Sequence, residues 1–152
     1  MNSEYLFIKE TDFNKIRVLI KNSKDKKIIF SSNDDELNRQ VLEKAEINIL
    51  LLNQSGRKDF QKQRNSGFNQ VLAKVAKKKN ILIGINFEEI INSNPKEKAR
   101  ILARIQQNIK ICNKNKVEMK FVFQEEKDER NSYDLKSLGS ILGMPTWMNN
   151  QL

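Results

Sequence analysis

Asp34, Asp35 and Glu36 form one acidic cluster of this sequence, and Glu125, Glu126 and Asp128 form another. Carboxylates that converge could hold magnesium, a hard cation that takes oxygen ligands. Each trio also sits among Ser, Asn, Lys or Arg, a setting that suits a helix N-terminus or a solvated loop as well. The missing residue types narrow the chemistry further. There is no His, and Cys112 is the single Cys, so one chain cannot assemble a Ser-His-Asp triad, a Cys-His dyad or the commonest zinc sites. Neither a Gly-x-Gly-x-x-Gly nor a Walker-type Gly-Lys-Ser/Thr motif occurs, which disfavours a nucleotide-cofactor enzyme. The expectation is a protein with no catalytic residue, metal site or bound cofactor of its own.

What the sequence has in excess is positive charge. Lys and Arg number 28 against 19 Asp and Glu, a formal net charge of +9 over 152 residues. Such a field attracts a polyanion, and nucleic acid is the first candidate. A membrane surface is the weaker one, because no apolar run approaches the roughly 18 residues of a spanning helix. The first ten residues carry an early Glu4 and only a short apolar stretch, unlike a secretory signal. Together with a lone Cys112, which cannot form an internal disulfide, this points to the cytoplasm.

The elements that must position these charges follow from the apolar pattern. Tyr5 to Ile8, Lys27 to Phe30, Ile47 to Leu52, Ile81 to Phe87 and Met119 to Phe123 are short apolar runs of strand length. Between them, apolar residues recur three or four apart: Phe13, Ile16, Leu19 and Ile20; Leu37, Val41 and Leu42; Val71, Leu72, Val75 and Ala76; Ile101, Leu102, Ile105, Ile109 and Ile111. Those stripes predict amphipathic helices, the last from Lys96 to Asn113 with Arg100 and Arg104 on its polar side. Thr11-Asp12, Ser32-Asn33-Asp34 and Asn94-Pro95 mark helix starts. A final helix from about Tyr133 to Leu142 is stopped by Gly143 and Pro145. Alternation of this kind predicts one β/α domain over residues 1–152, an α/β fold with a parallel sheet of about five strands.

In parallel α/β folds, ligands meet the C-terminal ends of the strands. The segments to inspect are Ser31 to Asp35, Asn53 to Ser66, Glu88 to Asn94 and Gln124 to Ser132. The longest, Asn53 to Ser66, carries Arg57, Lys58, Lys62 and Arg64 around Gly56, and a loop of that length in a small domain usually carries function or is disordered. A phosphate-accepting receiver domain would need paired acids after the first strand and an Asp after the third. Ile8-Lys9-Glu10 and Leu52-Asn53-Gln54 do not provide them.

Four stretches carry a family likeness: Arg57-Lys58-Asp59 followed by Ser66 to Lys74, the lead Lys77-Lys78-Lys79-Asn80 into Ile81 to Phe87, Asn92-Ser93-Asn94-Pro95 followed by Glu97 and Ala99 to Leu102, and Arg130 with Asp134-Leu135 through Leu142-Gly143-Met144. In this order they resemble ribonuclease P protein component 3, the archaeal and eukaryotic thirty-kilodalton subunit family, from about Lys27 to Met144. The resemblance implies a TIM-barrel-like arrangement of β/α repeats, here shortened or incomplete, and an N-terminally shortened form. Two departures stand out: Phe123-Gln124-Glu125-Glu126 follows the last strand in place of small hydroxyl residues, and Ser132-Tyr133 replaces a Pro before the Asp-Leu pair.

The same resemblance implies a protein that binds and activates the catalytic RNA of ribonuclease P for removal of 5′ leaders from precursor tRNA. Magnesium would be required by that RNA rather than bound by the protein. The partners it implies are ribonuclease P RNA, precursor tRNA and a small ferredoxin-like protein subunit, in a homodimer or heterotetramer, with no membrane. Positions matching RNA-facing ones are Arg39, Arg57, Lys58, Arg64, Lys79 and Arg130. Each also has a plainer role: Arg39 could pair with Glu36 or Glu43 at helical spacing, and Lys79 could simply be solvated. Trp147 reads first as an anchor for the C-terminal tail. The unpaired sheet edges expected of a shortened barrel place Tyr5, Phe7 and Phe121 at a partner interface. Another basic RNA-binding module and a stand-alone magnesium-dependent nuclease are the alternative functions.

Overall fold

The computed structural model describes residues 4–152. Five strands, β1 (Tyr5–Ile8), β2 (Lys27–Ser32), β3 (Ile49–Leu52), β4 (Leu82–Asn86) and β5 (Met119–Val122), form one parallel sheet in the order of the chain. Between and after them run α1 (Phe13–Lys21), α2 (Asp35–Lys44), α3 (Gln70–Lys79), α4 (Phe87–Asn92), α5 (Pro95–Asn115), α6 (Ser132–Leu142) and α7 (Thr146–Asn149). Consecutive strands that all pair in parallel, each joined to the next by a helical crossover, make a partial TIM-barrel-like α/β fold.

Local chemistry sets the helix ends. Asp12, Asp34, Asn69, Asn94 and Asn131 each accept a first-turn backbone N–H at the start of a helix, and Pro95 occupies the first turn of α5. Gly143, at φ +99°, ends α6 in the left-handed conformation. The acidic cluster at 34–36 is thereby accounted for: Asp34 accepts from the Glu36 and Leu37 N–H groups, and Asp35 and Glu36 occupy the first turn of α2. Two helices depart from the sequence reading. The fourth apolar run stops at Asn86, whose side chain caps α4, so Phe87 begins a helix instead of ending a strand. The short α7 follows Pro145, which cannot extend α6.

The period-two alternation of the strands divides the core in two. Ile8, Ile28, Phe30, Leu50, Leu52, Ile83, Ile85, Met119 and Phe121 face the helices. On the other side Ile29, Ile49, Leu51 and Val122 pack with Tyr5, Phe7 and Leu82. This inner face is buried because the sheet curls. Tyr5 and Phe7 of β1 line one small cleft together with Lys120 and Val122 of β5, and Lys9, just past β1, donates a hydrogen bond to Gln124, just past β5. The two edge strands therefore face each other across the inside.

The curl places Phe121 inside the chain. Alternation points it at the helices, where it is 8% exposed and meets the Phe87 ring edge-on at 6.1 Å. Its ring belongs to the chain's own core, while Tyr5 and Phe7 are half-buried on the inner face. Gly84 supplies the room for that inner packing. A Cβ there would lie 2.9 Å from Val122 Cγ2, 3.0 Å from Ile49 Cγ2 and 3.1 Å from Leu51 Cδ1. Gly84→Val should overpack the face and cost about 1–3 kcal/mol, read as a fall of several degrees in the thermal melting midpoint. An unchanged midpoint would mean that the inner face is slack.

Candidate nucleic-acid interface

The long connection from β3 to α3, residues 53–69, is held by side chains in place of regular structure. Its principal anchor is Arg104, which the helical stripe had put on the polar side of α5 and which is in fact 1% exposed. Arg104 Nη1 donates to the Gln54 carbonyl at 2.7 Å, Nη2 to the Arg57 carbonyl at 2.7 Å, and Nε to Asp59 Oδ1 at 3.0 Å. One guanidinium thus ties three points of the loop to the helix, using the fixed fork that Lys lacks. Glu97, two turns nearer the start of α5, accepts the Gly56 N–H at 3.1 Å, and Glu89 of α4 accepts the N–H groups of Gln54 and Ser55 at 2.7 and 2.8 Å. Gln107 closes the far side, accepting from the Arg64 N–H at 3.1 Å and donating to the Arg64 carbonyl at 2.8 Å.

Asp59 is the acidic centre of this arrangement. Burial alone would raise its pKa, but the Arg104 guanidinium, the Asn65 N–H and the Arg64 guanidinium hold it down at about 2. Arg57 is similarly engaged. Its Nη1 and Nη2 donate to both oxygens of Asp35 at 2.9 Å, and its Nε to the Asn53 carbonyl at 2.6 Å. Gly67, at φ +73°, leaves space for that pair, since a Cβ there would lie 2.5 Å from Arg57 Nη2.

The basic positions singled out in the sequence fall into three places. Arg57, Lys58 and Arg64 share the loop, and Arg39 of α2 lines the same cleft as Arg64. Arg39 is paired with Glu36 and Glu43, the plainer role that its helical spacing offered. Arg64 is paired with Asp59 at 3.0 Å. Lys79 lies at the other end of α3, where its Nζ donates to the Leu42 and Ala45 carbonyls at 2.8 and 2.9 Å and closes the C-terminus of α2; burial lowers its pKa. Arg130 lies near β5, donating to the Asp128 carbonyl at 2.9 Å and covering the Phe87 ring at 5.5 Å. Lys58 and Lys62 differ from all of these: both are exposed and have no hydrogen bond or ion pair within the described residues. Trp147 anchors the tail by donating to Asn113 Oδ1 at 2.9 Å under Lys116.

The strand ends hold amides and hydroxyls. Asn53 Nδ2 donates to Ser31 Oγ at 2.9 Å, and Asn86 Nδ2 to Asn53 Oδ1 at 2.9 Å. The carboxylates nearby serve backbone: Glu89 as above, and Glu88 by accepting from the Gln124 and Glu125 N–H groups at 2.6 and 3.0 Å. Among the described residues no group of three or more His, Cys, Asp or Glu side chains is placed to hold a metal ion. Burial pushes the Cys112 thiol up to about 12, so it stays protonated and is no nucleophile. No helix of the described residues is long and apolar enough to cross a membrane.

A curled parallel β/α sheet with a pinned cationic loop beside its C-terminal strand ends defines the class: a partial β/α-barrel protein of net positive charge. Residues 6–147 match the family model for RNase P subunit p30, and the chain belongs to that family. Ribonuclease P protein component 3 of Methanocaldococcus jannaschii is 30% identical over 114 residues, 74% of this chain and 47% of that protein. The namesake from Methanosarcina mazei is 29% identical over 110 residues, 72% of this chain and 41% of the relative. This chain therefore spans under half the length of these curated relatives. A chain in the cryo-EM structure of archaeal ribonuclease P with mature tRNA has the same fold, with a TM-score of 0.76 at 24% identity over 95% of this chain and 62% of that one.

Proposed function

We propose that the chain acts as a cytoplasmic RNA-binding subunit of ribonuclease P, assisting a catalytic RNA in removing 5′ leaders from precursor tRNA. The observation that carries this reading is the pinned loop, which presents unspent cations on a chain of net charge +9. The relatives named above supply the ribonucleoprotein context. In this reading the protein does no bond-breaking, and magnesium belongs to the RNA. Precursor tRNA is met within the assembled particle, alongside a small ferredoxin-like protein subunit in a heterotetramer.

The test is a cleavage assay with purified components. With magnesium and without RNA, the protein leaves precursor tRNA intact; cleavage appears when ribonuclease P RNA and the partner subunit are added, and it is faster than without this chain. Cleavage by RNA-free protein that follows the chain through purification would replace this reading with that of a nuclease.

A further inference from the structure

Phe60 sits in the middle of the cationic loop with 57% of its surface exposed. Looseness of the loop does not explain this. On one side Asp59 is bound by Arg104 Nε at 3.0 Å and the Asn65 N–H at 2.9 Å, and on the other Arg64 is bonded through both backbone groups to Gln107. The short segment between these anchors is thus fixed at both ends, with an exposed aromatic ring within it. Leaving such a ring in water forgoes the burial of roughly 150–250 Å² that an aromatic side chain can provide.

The surroundings indicate what the ring could meet. Lys58 and Lys62 lie two residues before and after it, exposed and without a hydrogen-bond or ion-pair partner among the described residues. Beside the ring opens a cleft of about 540 Å³ whose lining includes Gln63, Arg64 and Gln70. The carboxylates at its rim are matched internally, Asp35 by Arg57 and Glu36 by Arg39, so they do not make the cleft anionic. An apolar face between two unspent cations, next to a cleft lined with carboxamides, suits a nucleobase with phosphates on either side.

We infer that Phe60 is a stacking platform for an unpaired base of RNA, with Lys58 and Lys62 on the flanking phosphates. Resting on the RNA-binding reading above, this inference adds the form of RNA engaged. Bases in a duplex already stack on their neighbours and offer no free face, so the loop takes a single-stranded segment such as a bulge, a loop or an end.

The experiment measures binding of the full chain to a short single-stranded oligoribonucleotide and to a blunt duplex, by fluorescence anisotropy at low salt, for wild type, Phe60→Ala and Phe60→Trp. Stacking contributes about 1–3 kcal/mol per base, so Phe60→Ala should weaken single-strand binding about tenfold, leave duplex binding unchanged and leave the melting temperature unchanged. Phe60→Trp should restore the affinity, and its emission, read in a Trp147→Phe background, should be quenched by the single strand. Equal losses on both RNAs would overturn the platform. Wild-type binding of the single strand that Phe60→Ala leaves intact would overturn it too, while sparing the RNA-binding reading. A wild-type chain that binds neither RNA would overturn both.

Discussion

Replacing Arg104 with Met should destabilise the protein by about 3 kcal/mol, the lower end of what removing one partner of a buried pair costs, and lower its melting temperature by on the order of 10 °C. The lower end applies because the two carboxylates left behind are part-exposed and keep other cations: Asp59, 24% exposed at its side chain, retains Arg64 at 3.0 Å, and Glu97, 3.7 Å from Arg104, retains Arg100 at 3.8 Å. The rest of the loss comes from the Gln54 and Arg57 carbonyls, which give up their bonds in a protein interior. Arg104→Lys should recover only part of it, because one ammonium cannot serve three acceptors in three directions. The same anchor gives a pH dependence. Asp59 has a folded-state pKa depressed to about 2, so its contribution is fully present above its unfolded pKa of about 3.9 and is lost as pH falls through the folded value. Acid titration of the melting temperature should show this loss in the wild type and a smaller one in Arg104→Met. Equal acid slopes would separate Asp59 from Arg104.

Removing both free lysines of the loop, Lys58→Ala with Lys62→Ala, should weaken single-stranded RNA binding about 25-fold at about 0.1 M salt and reduce the salt slope by about 1.4, since each phosphate contact to a single strand contributes about 0.7 to it. Arg39→Ala should do much less to affinity. Its guanidinium already serves Glu36 and Glu43, and RNA would have to displace two carboxylates to use it. Arg57→Ala should act differently again, by breaking the Asp35 pair and loosening the loop. Anisotropy titrations at several salt concentrations distinguish these outcomes. A double-lysine variant with the wild-type slope would show that the RNA lies elsewhere on the surface.

These contrasts mark what could be read from the residues alone. The alternation of strands and helices, the parallel sheet and the helix starts are legible because they rest on short-range patterns: apolar runs, three-and-four spacing, and Asp or Asn before a helix. Arg39 was legible for the same reason, as Glu36 and Glu43 stand three and four residues away. Arg57, Lys79 and Arg104 were not, because their partners Asp35, Leu42 and Gln54 are brought to them only by tertiary folding. The burial of Arg104 nevertheless left a trace. Ile101, Ile105, Asn108, Ile109 and Cys112 are buried on α5, and Arg104 falls three residues after the first of them and four before Asn108, within the buried stripe. A charged residue at such a position calls for an internal partner, which Asp59 and the Gln54 and Arg57 carbonyls supply.

Strand pairing in the order of the chain has a consequence for how the molecule assembles. Tyr5 opposite Lys27, Ile29 opposite Ile49, Ile49 opposite Leu82 and Ile83 opposite Met119 join only successive units. Each step closes a modest loop, so the sheet can grow by addition as the chain leaves the ribosome. The cationic loop breaks that sequence. It is synthesised directly after β3 and can pair with Asp35 of α2 through Arg57, yet the Glu89, Arg104 and Gln107 side chains that fasten the rest of it arrive only with α4 and α5. The surface proposed to meet RNA is therefore completed only once α5 is in place, and a partly synthesised chain would hold much of its sheet before that loop is fully fastened.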